Sequence, residues 1–386
     1  MQNTTQHWKD TNAAAFTTQT NVLTTIFRAD GTHPIIPKDR LISLKHTSSG
    51  DMLSAELPRI EIVAKYDNRD GYFTNTRDES FYQNGKIVFY YGFKQQKTPE
   101  NPYPGYDSIT GATLFIRKFE IDDDANTVTI TANDVLSFMT NNISPEALSI
   151  TAENWIHEIE EQAEDDSIVP SDNITIIYDE DAVSGVFIAF TNQQYRMCDA
   201  LQLIANACKC VLYVDRDSRI HIEPISGLMT DYVISKRVQY TNVKIQNQES
   251  ISSIDLHYAG GNLAISITAK DYGRTETVTN NALYEPAEAY AESVASWILN
   301  TLMDGDKKYS GTYRADPRAD VFDFIKVQTR FGEERACLTR FSLDYNGAWR
   351  GTFEAVSISV SINDIASLEE YTINDLEQFT INELEG

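Results

Sequence analysis

The residues best suited to chemistry crowd into Asp199–Ile225, DALQLIANACKCVLYVDRDSRIHIEPI. The stretch carries Cys208-Lys209-Cys210, Asp215-Arg216-Asp217 and His221-Ile222-Glu223. Thiolates, imidazoles and carboxylates are the donors of zinc and redox centres, so the composition invites that reading. The spacing argues against it. Two cysteines one residue apart have neither the second pair of a structural zinc site nor the C-x-x-C order of a dithiol catalyst. The same residues instead predict a helix from near Asp199, with Leu201, Ile204 and Cys208 on one face. A strand follows with Cys210, Leu212 and Val214 alternating, then a turn at Asp215–Ser218. On the return strand Ile220 and Ile222 point one way, while Arg219, His221 and Glu223 share the opposite, solvated face.

Other polar clusters resolve in the same way. Asp122-Asp123-Asp124 offers oxygen ligands for a hard cation, but it lacks the glycine at the sixth position and the glutamate at the twelfth of a calcium-binding loop. It reads as the turn of a hairpin. The acids from Glu158 to Asp166 read as a solvated helix face and loop. The six histidines (His7, His33, His46, His157, His221 and His257) are scattered without ligand spacing. The chain contains no G-x-S-x-G, G-x-G-x-x-G, P-loop, H-E-x-x-H or C-x-x-C. No cofactor, metal or catalytic residue is expected, and no enzyme.

The elements around these residues are mostly strands. Twenty Tyr and 17 Phe suit half-buried pleated surfaces. Alternation marks Leu53–Ala64, Lys86–Phe93 and the hairpin Thr113–Thr131, with turns at Asp30-Gly31, Asp67–Asp70 and Asn84-Gly85. Thr151–Ala163 is predicted as a helix with Trp155, Ile156 and Ile159 inward. Ser235–Asp271 returns to strands. A longer helix, Glu285–Met303, follows, with Pro286 in its first turn, Gly305 beyond its end and a stripe of Tyr290, Val294, Trp297, Ile298 and Leu302. Thr312–Ile362 is strand again, with a turn at Tyr345-Asn346-Gly347.

With 386 residues the chain has room for two or three domains. Four cysteines and no apparent leader suggest reduced, buried thiols and synthesis in a cytoplasm. No run approaches the roughly 20 apolar residues of a membrane span. Fifty-seven acidic against 32 basic residues give a net charge of −25. Such a surface repels phosphate backbones, which excludes affinity for nucleic acid but not a wall past which DNA slides. The C-terminus holds an eight-residue tandem repeat, YTINDLEQ then FTINELEG. It is either a solvated acidic tail or an arm that docks Tyr371, Ile373, Leu376, Phe379, Ile381 and Leu384 into a partner.

Three blocks carry a resemblance. Leu53–Phe73 (LSAELPRIEIVAKYDNRDGYF) continues through Gly92 and Gly111–Asp134 to Asn133-Asp134-Val135-Leu136. The second block is Asp199–Ile225. The third is Ala315–Ala355, with Asp316-Pro317-Arg318 and Tyr345-Asn346-Gly347-Ala348. Together they resemble the baseplate hub and tail-tip proteins of bacteriophages, including minor tail proteins of phages of Gram-positive hosts and the hub of contractile-tailed phages. The resemblance implies an α+β, mainly β fold: two tail-tube-like β-barrels with an α/β middle domain. The boundaries expected are 1–145 and 236–366 for the barrels, 146–235 for the middle and 367–386 for the acidic tail. It further implies a homotrimer whose six barrels meet a sixfold tail tube or distal tail protein ring. The opposite side would hold a tail-tip, spike or fibre protein and the tape measure protein. DNA would cross an acidic lumen without specific binding, in a virion assembled in the host cytoplasm. Many relatives continue into a lytic or receptor-binding region, which is not expected here. The competing expectation is another baseplate or distal tail adaptor that binds carbohydrate through its aromatic residues.

Overall fold

The computed structural model describes residues 20–358 apart from 28–34, 54–55, 75–84, 95–105, 144–149, 169–173, 191–193, 226–228, 259–264, 270–272 and 285–287. The expected turns at Asp30-Gly31 and Asn84, the placement of Pro286 and the C-terminal repeat lie outside the described residues. The protein is mainly β, as its aromatic and alternating segments predict, and one large sheet organises it.

The first region contributes β1 (Thr20–Phe27), β2 (Ile35–Ile36), β3 (Leu41–Ser49), β4 (Arg59–Asp67), β5 (Lys86–Lys94), β6 (Tyr106–Asp122) and β7 (Thr127–Asn133). The hairpin expected around Asp122–Asn126 is β6–β7, closed by Asn126 at φ 51°. β6 pairs with β5 through residues 106–115 and with β7 from Phe115 onward, so Phe115 alone is paired on both edges. Arg117 is an extra residue opposite β7, and Gly111 is extra opposite β5. Stagger and single-residue bulges of this kind make a sheet curl.

The middle region has the short strands β8 (Asn142–Ile143), β9 (Ile150–Thr151), β10 (Ile176–Tyr178), β11 (Phe187–Ile188) and β12 (Tyr195–Arg196). The hairpin of β13 (Val211–Val214) and β14 (Ile220–Glu223) completes a three-stranded sheet with β10. Helices Ala152–Asp165 and Met197–Ala207 cover it, and both expected apolar faces are buried. Trp155 meets Phe190 edge-on at 4.8 Å.

The last region supplies β15 (Met229–Ile234), β16 (Lys244–Asn247), β17 (Ile251–Tyr258), β18 (Ile265–Thr268), β19 (Arg274–Asn281), β20 (Lys307–Tyr313), β21 (Phe324–Gln328), β22 (Glu333–Tyr345) and β23 (Trp349–Ser357). β17, β18 and β19 form a separate sheet against the helix Glu288–Asp304, whose Val294 and Ile298 are buried. β22 runs beside β23 and changes partner on its other edge, from β21 to β3, at the extra residue Thr339. The β22–β3 ladder joins the two β regions into one 13-stranded sheet.

The blocks that carry the family resemblance are devices that fix the backbone. Asn68 Oδ1 accepts a hydrogen bond from Phe73 N at 2.9 Å, and Gly71 turns the chain at φ 69°, which buries Phe73. Asp134, fully buried, caps the helical turn after β7 and also accepts from Ile60 N. Asp316 and Arg318 form a buried pair, with Arg318 Nε 3.0 Å from both carboxylate oxygens.

Candidate functional site

The expected turn between β13 and β14 is present, and its arginine is buried at the meeting point of all three regions. Arg216 is 6% exposed. Its Nε donates to Asp320 Oδ1 at 2.7 Å, Nη1 to Thr110 O at 2.9 Å and Nη2 to Ala319 O at 3.0 Å. Its own carbonyl accepts from Thr113 N at 2.7 Å. One side chain from the middle region therefore bonds to β6 of the first region and to the loop before β21 in the last. The planar guanidinium fork is what allows three diverging donors on one side chain. Sequence reasoning missed this role because an arginine between two aspartates in a turn looks like solvated surface.

A cavity of about 250 Å³ lies beside this brace, lined among others by His46, Gly111, Tyr213, Asp320 and Asp323. His46 Nδ1 is 3.0 Å from Tyr91 Oη, while Nε2 has no hydrogen-bond partner among the described residues. Burial, and then the Arg216 guanidinium, pushes His46 down to about 3, so it is neutral at physiological pH. Burial and the neighbouring Asp320 push Asp323 up to about 6.

His221 corrects an expectation. It does neighbour Glu223, but its side chain is only 11% exposed. Tyr213, its cross-strand partner, stacks on the ring at 4.7 Å and 10° and excludes solvent. His221 Nδ1 lies 3.1 Å from Glu223 Oε1, and Nε2 lies 3.1 Å from Asp215 Oδ2. Burial opposes protonation, but the two carboxylates outweigh it and raise the histidine's pKa. Both ring nitrogens face acceptors, so the imidazolium satisfies both. The cluster positions the turn that carries Arg216.

These groups brace the fold. Cys198, Cys208, Cys210 and Cys337 are buried free thiols. Burial raises all four, Cys198 to about 11 and Cys210 to about 12, which makes them inert packing groups. Among the described residues no cluster of three or more His, Cys, Asp or Glu is arranged to hold a metal ion. No helix among them is long and apolar enough to cross a membrane.

A second cavity, about 740 Å³, opens on the surface of the last region. It lies against the face of β16 and β20 that bears Ile245 and Tyr309 and is walled by the β21–β22 turn. Lys236, Lys307 and Arg330 line it against the single acid Glu334. At its rim Phe331 is 72% exposed, with the Arg330 guanidinium 4.5 Å from its ring centre. The turn is held firmly: Thr329 N donates to Gly332 O at 2.7 Å, and Phe331 N donates to Thr329 Oγ1 at 3.1 Å. β16 pairs with β20 alone among the described strands, so its outer edge has no strand partner among them. Neither Phe331 nor this groove was singled out by the sequence reading. The signal was an Arg-Phe-Gly at a hairpin turn, which alternation alone cannot separate from any other loop.

No protein-family model matches the chain, and no curated protein matches it. Solved structures do. The 43 kDa tail protein of prophage MuSo2 from Shewanella oneidensis superposes with a TM-score of 0.55 at 11% identity, covering 88% of this chain and 98% of that one. A tail protein from Neisseria meningitidis gives 0.57 at 10% identity over 87% and 96%. Prophage tail protein gp18 from Listeria monocytogenes gives 0.53 at 11% identity over 90% and 97%. The fold is thus shared almost end to end with phage tail proteins.

Proposed function

We propose that the chain is a structural baseplate hub of a phage tail, a virion protein assembled in the host cytoplasm. The observation that carries this reading is the likeness to tail proteins over 87–90% of this chain and 96–98% of theirs. In this reading residues 1–145 and 236–366 are two barrel-like units and 146–235 is the α/β middle. The staggered β6 and β22, each carrying an extra residue close to where its pairing changes, support curled sheets in both units. Three copies close into a ring whose six units face a sixfold tail tube or distal tail ring, while the other side receives a tail-tip, spike or fibre protein and the tape measure end. DNA crosses an acidic bore with no counterion-release attraction to hold it. The C-terminal residues Tyr371, Ile373, Leu376, Phe379, Ile381 and Leu384 form a docking arm.

Electron-microscopic class averages of the purified chain, with its mass in solution, test the reading. A threefold ring with an acidic bore is expected. A stable monomer that binds glycans on an array would overturn the hub in favour of a carbohydrate-binding adaptor.

A further inference from the structure

We infer that the groove beside Phe331 receives the acidic C-terminal repeat, Tyr371–Gly386, of the same polypeptide. The inference rests on the reading of that repeat as a docking arm and names its receiving surface.

Charge is the first argument. Residues 359–386 contain Asp364, Glu369, Glu370, Asp375, Glu377, Glu383 and Glu385, and no Lys or Arg. The groove sets Lys236, Lys307 and Arg330 against Glu334. None of those three cations makes an ion pair with another described residue. On a chain of net charge −25 such a local positive excess attracts its opposite.

The path of the chain is the second. The last described strand, β23, ends at Ser357, whose Oγ accepts from Lys307 N at 3.0 Å. Lys307 lines the groove, so the last described strand ends at the groove's own rim. The residues numbered 359 to 370 separate that exit from Tyr371. Twelve residues of random coil would span roughly 20 Å root-mean-square, a length that puts the repeat within reach of the groove.

Apolar complementarity is the third. Phe331 is a fixed aromatic with little to cover it, and Ile245 is half-buried on the groove floor. Each repeat unit spaces its aromatic and isoleucine by two residues, Tyr371 with Ile373 and Phe379 with Ile381. In extended backbone such pairs lie on one side, and the outer edge of β16 borders the site where an extended peptide would lie.

The test uses the full chain carrying Asn242→Cys and Gln378→Cys. The four native thiols are buried and do not compete. Mild oxidation followed by a denaturing, non-reducing gel should show a disulfide within one chain. Absence of a cross-link overturns the proposal, and so do linked pairs of chains, which would seat the repeat on a second copy. In parallel, a glutamate-specific protease should cut the repeat of the unmodified chain slowly at low salt. Adding Lys236→Gln, Lys307→Gln and Arg330→Gln, or 0.5 M salt, should speed that cleavage about tenfold through lost or screened attraction. Equal rates would overturn the proposal. Particle mass measured on the same samples separates the two readings. A cross-link without a threefold ring sinks the hub alone, and a ring without a cross-link sinks the groove assignment alone.

Discussion

The two β regions of the large sheet are built by the same means and finished differently. In each, one long strand, β6 or β22, carries an extra residue close to where its pairing changes. In each, a glycine permits a contact that a side chain would block. A Cβ on Gly111 would lie 2.4 Å from the Tyr91 ring, and one on Gly351 would lie 2.0 Å from Ser342 O. Their outer edges diverge. The first region ends in the two-residue β2, whereas the last ends in β16 beside a basic groove and an exposed phenylalanine. Shared interior devices set the common curvature, and the edges decide what each region can meet.

The joint between the regions gives the severest way to break this comparison. Arg216→Ala should cost about 3 kcal/mol, because it strands the carbonyls of Thr110 and Ala319 and removes the Arg216–Asp320 ion pair. Calorimetry should then resolve two unfolding transitions where the parent shows one. A single transition would mean that the β22–β3 ladder couples the regions unaided.

The glycines rank next. Gly351→Ala should cost roughly 3 kcal/mol and Gly111→Ala roughly 2. Backbone stands in the way at Gly351, while at Gly111 the obstacle is a ring that can shift. Denaturant titration checks the order, and a reversed ranking would show that the first region is the more rigid.

Acidity probes the first and middle regions in opposite directions. His46 is held neutral, at about 3 against an ordinary value of about 6.5. Its contribution is present above that ordinary value and is lost as pH falls toward 3. The pKa of His221 is raised, so its contribution is full below about 6.5 and disappears as pH climbs through the folded value. His221→Gln should therefore destabilise by roughly 1 kcal/mol at pH 6 and by less at pH 9, read from melting curves. An equal loss at both values would mean the histidine is neutral throughout.

Phe331→Ser should have the smallest effect on folding, within about 0.5 kcal/mol, because the ring is exposed. It should nevertheless raise cleavage of the C-terminal repeat several-fold, which separates the edge from the interior.

Much was legible in the sequence because local physics decided it. Alternation located β5 and the β6–β7 hairpin and overlapped β4, which begins at Arg59 and not at Leu53, and helical periodicity placed Trp155, Ile156 and Ile159 inward. Cys208 and Cys210, expected on an apolar helix face and an inward strand face, are core residues. What the sequence could not show was which polar groups would be covered by distant chain. Arg216 reads only as a turn residue until β6 and the loop before β21 close over it, whereas His221 is covered from within its own hairpin, by Tyr213 on the paired strand. The groove likewise exists only because β16, β20 and the β21–β22 turn converge. Periodicity and spacing are set by neighbours along the chain, so the sequence alone determined the elements and their inward faces. Burial of Arg216 depends on contacts across more than a hundred residues, and only the tertiary structure could decide it.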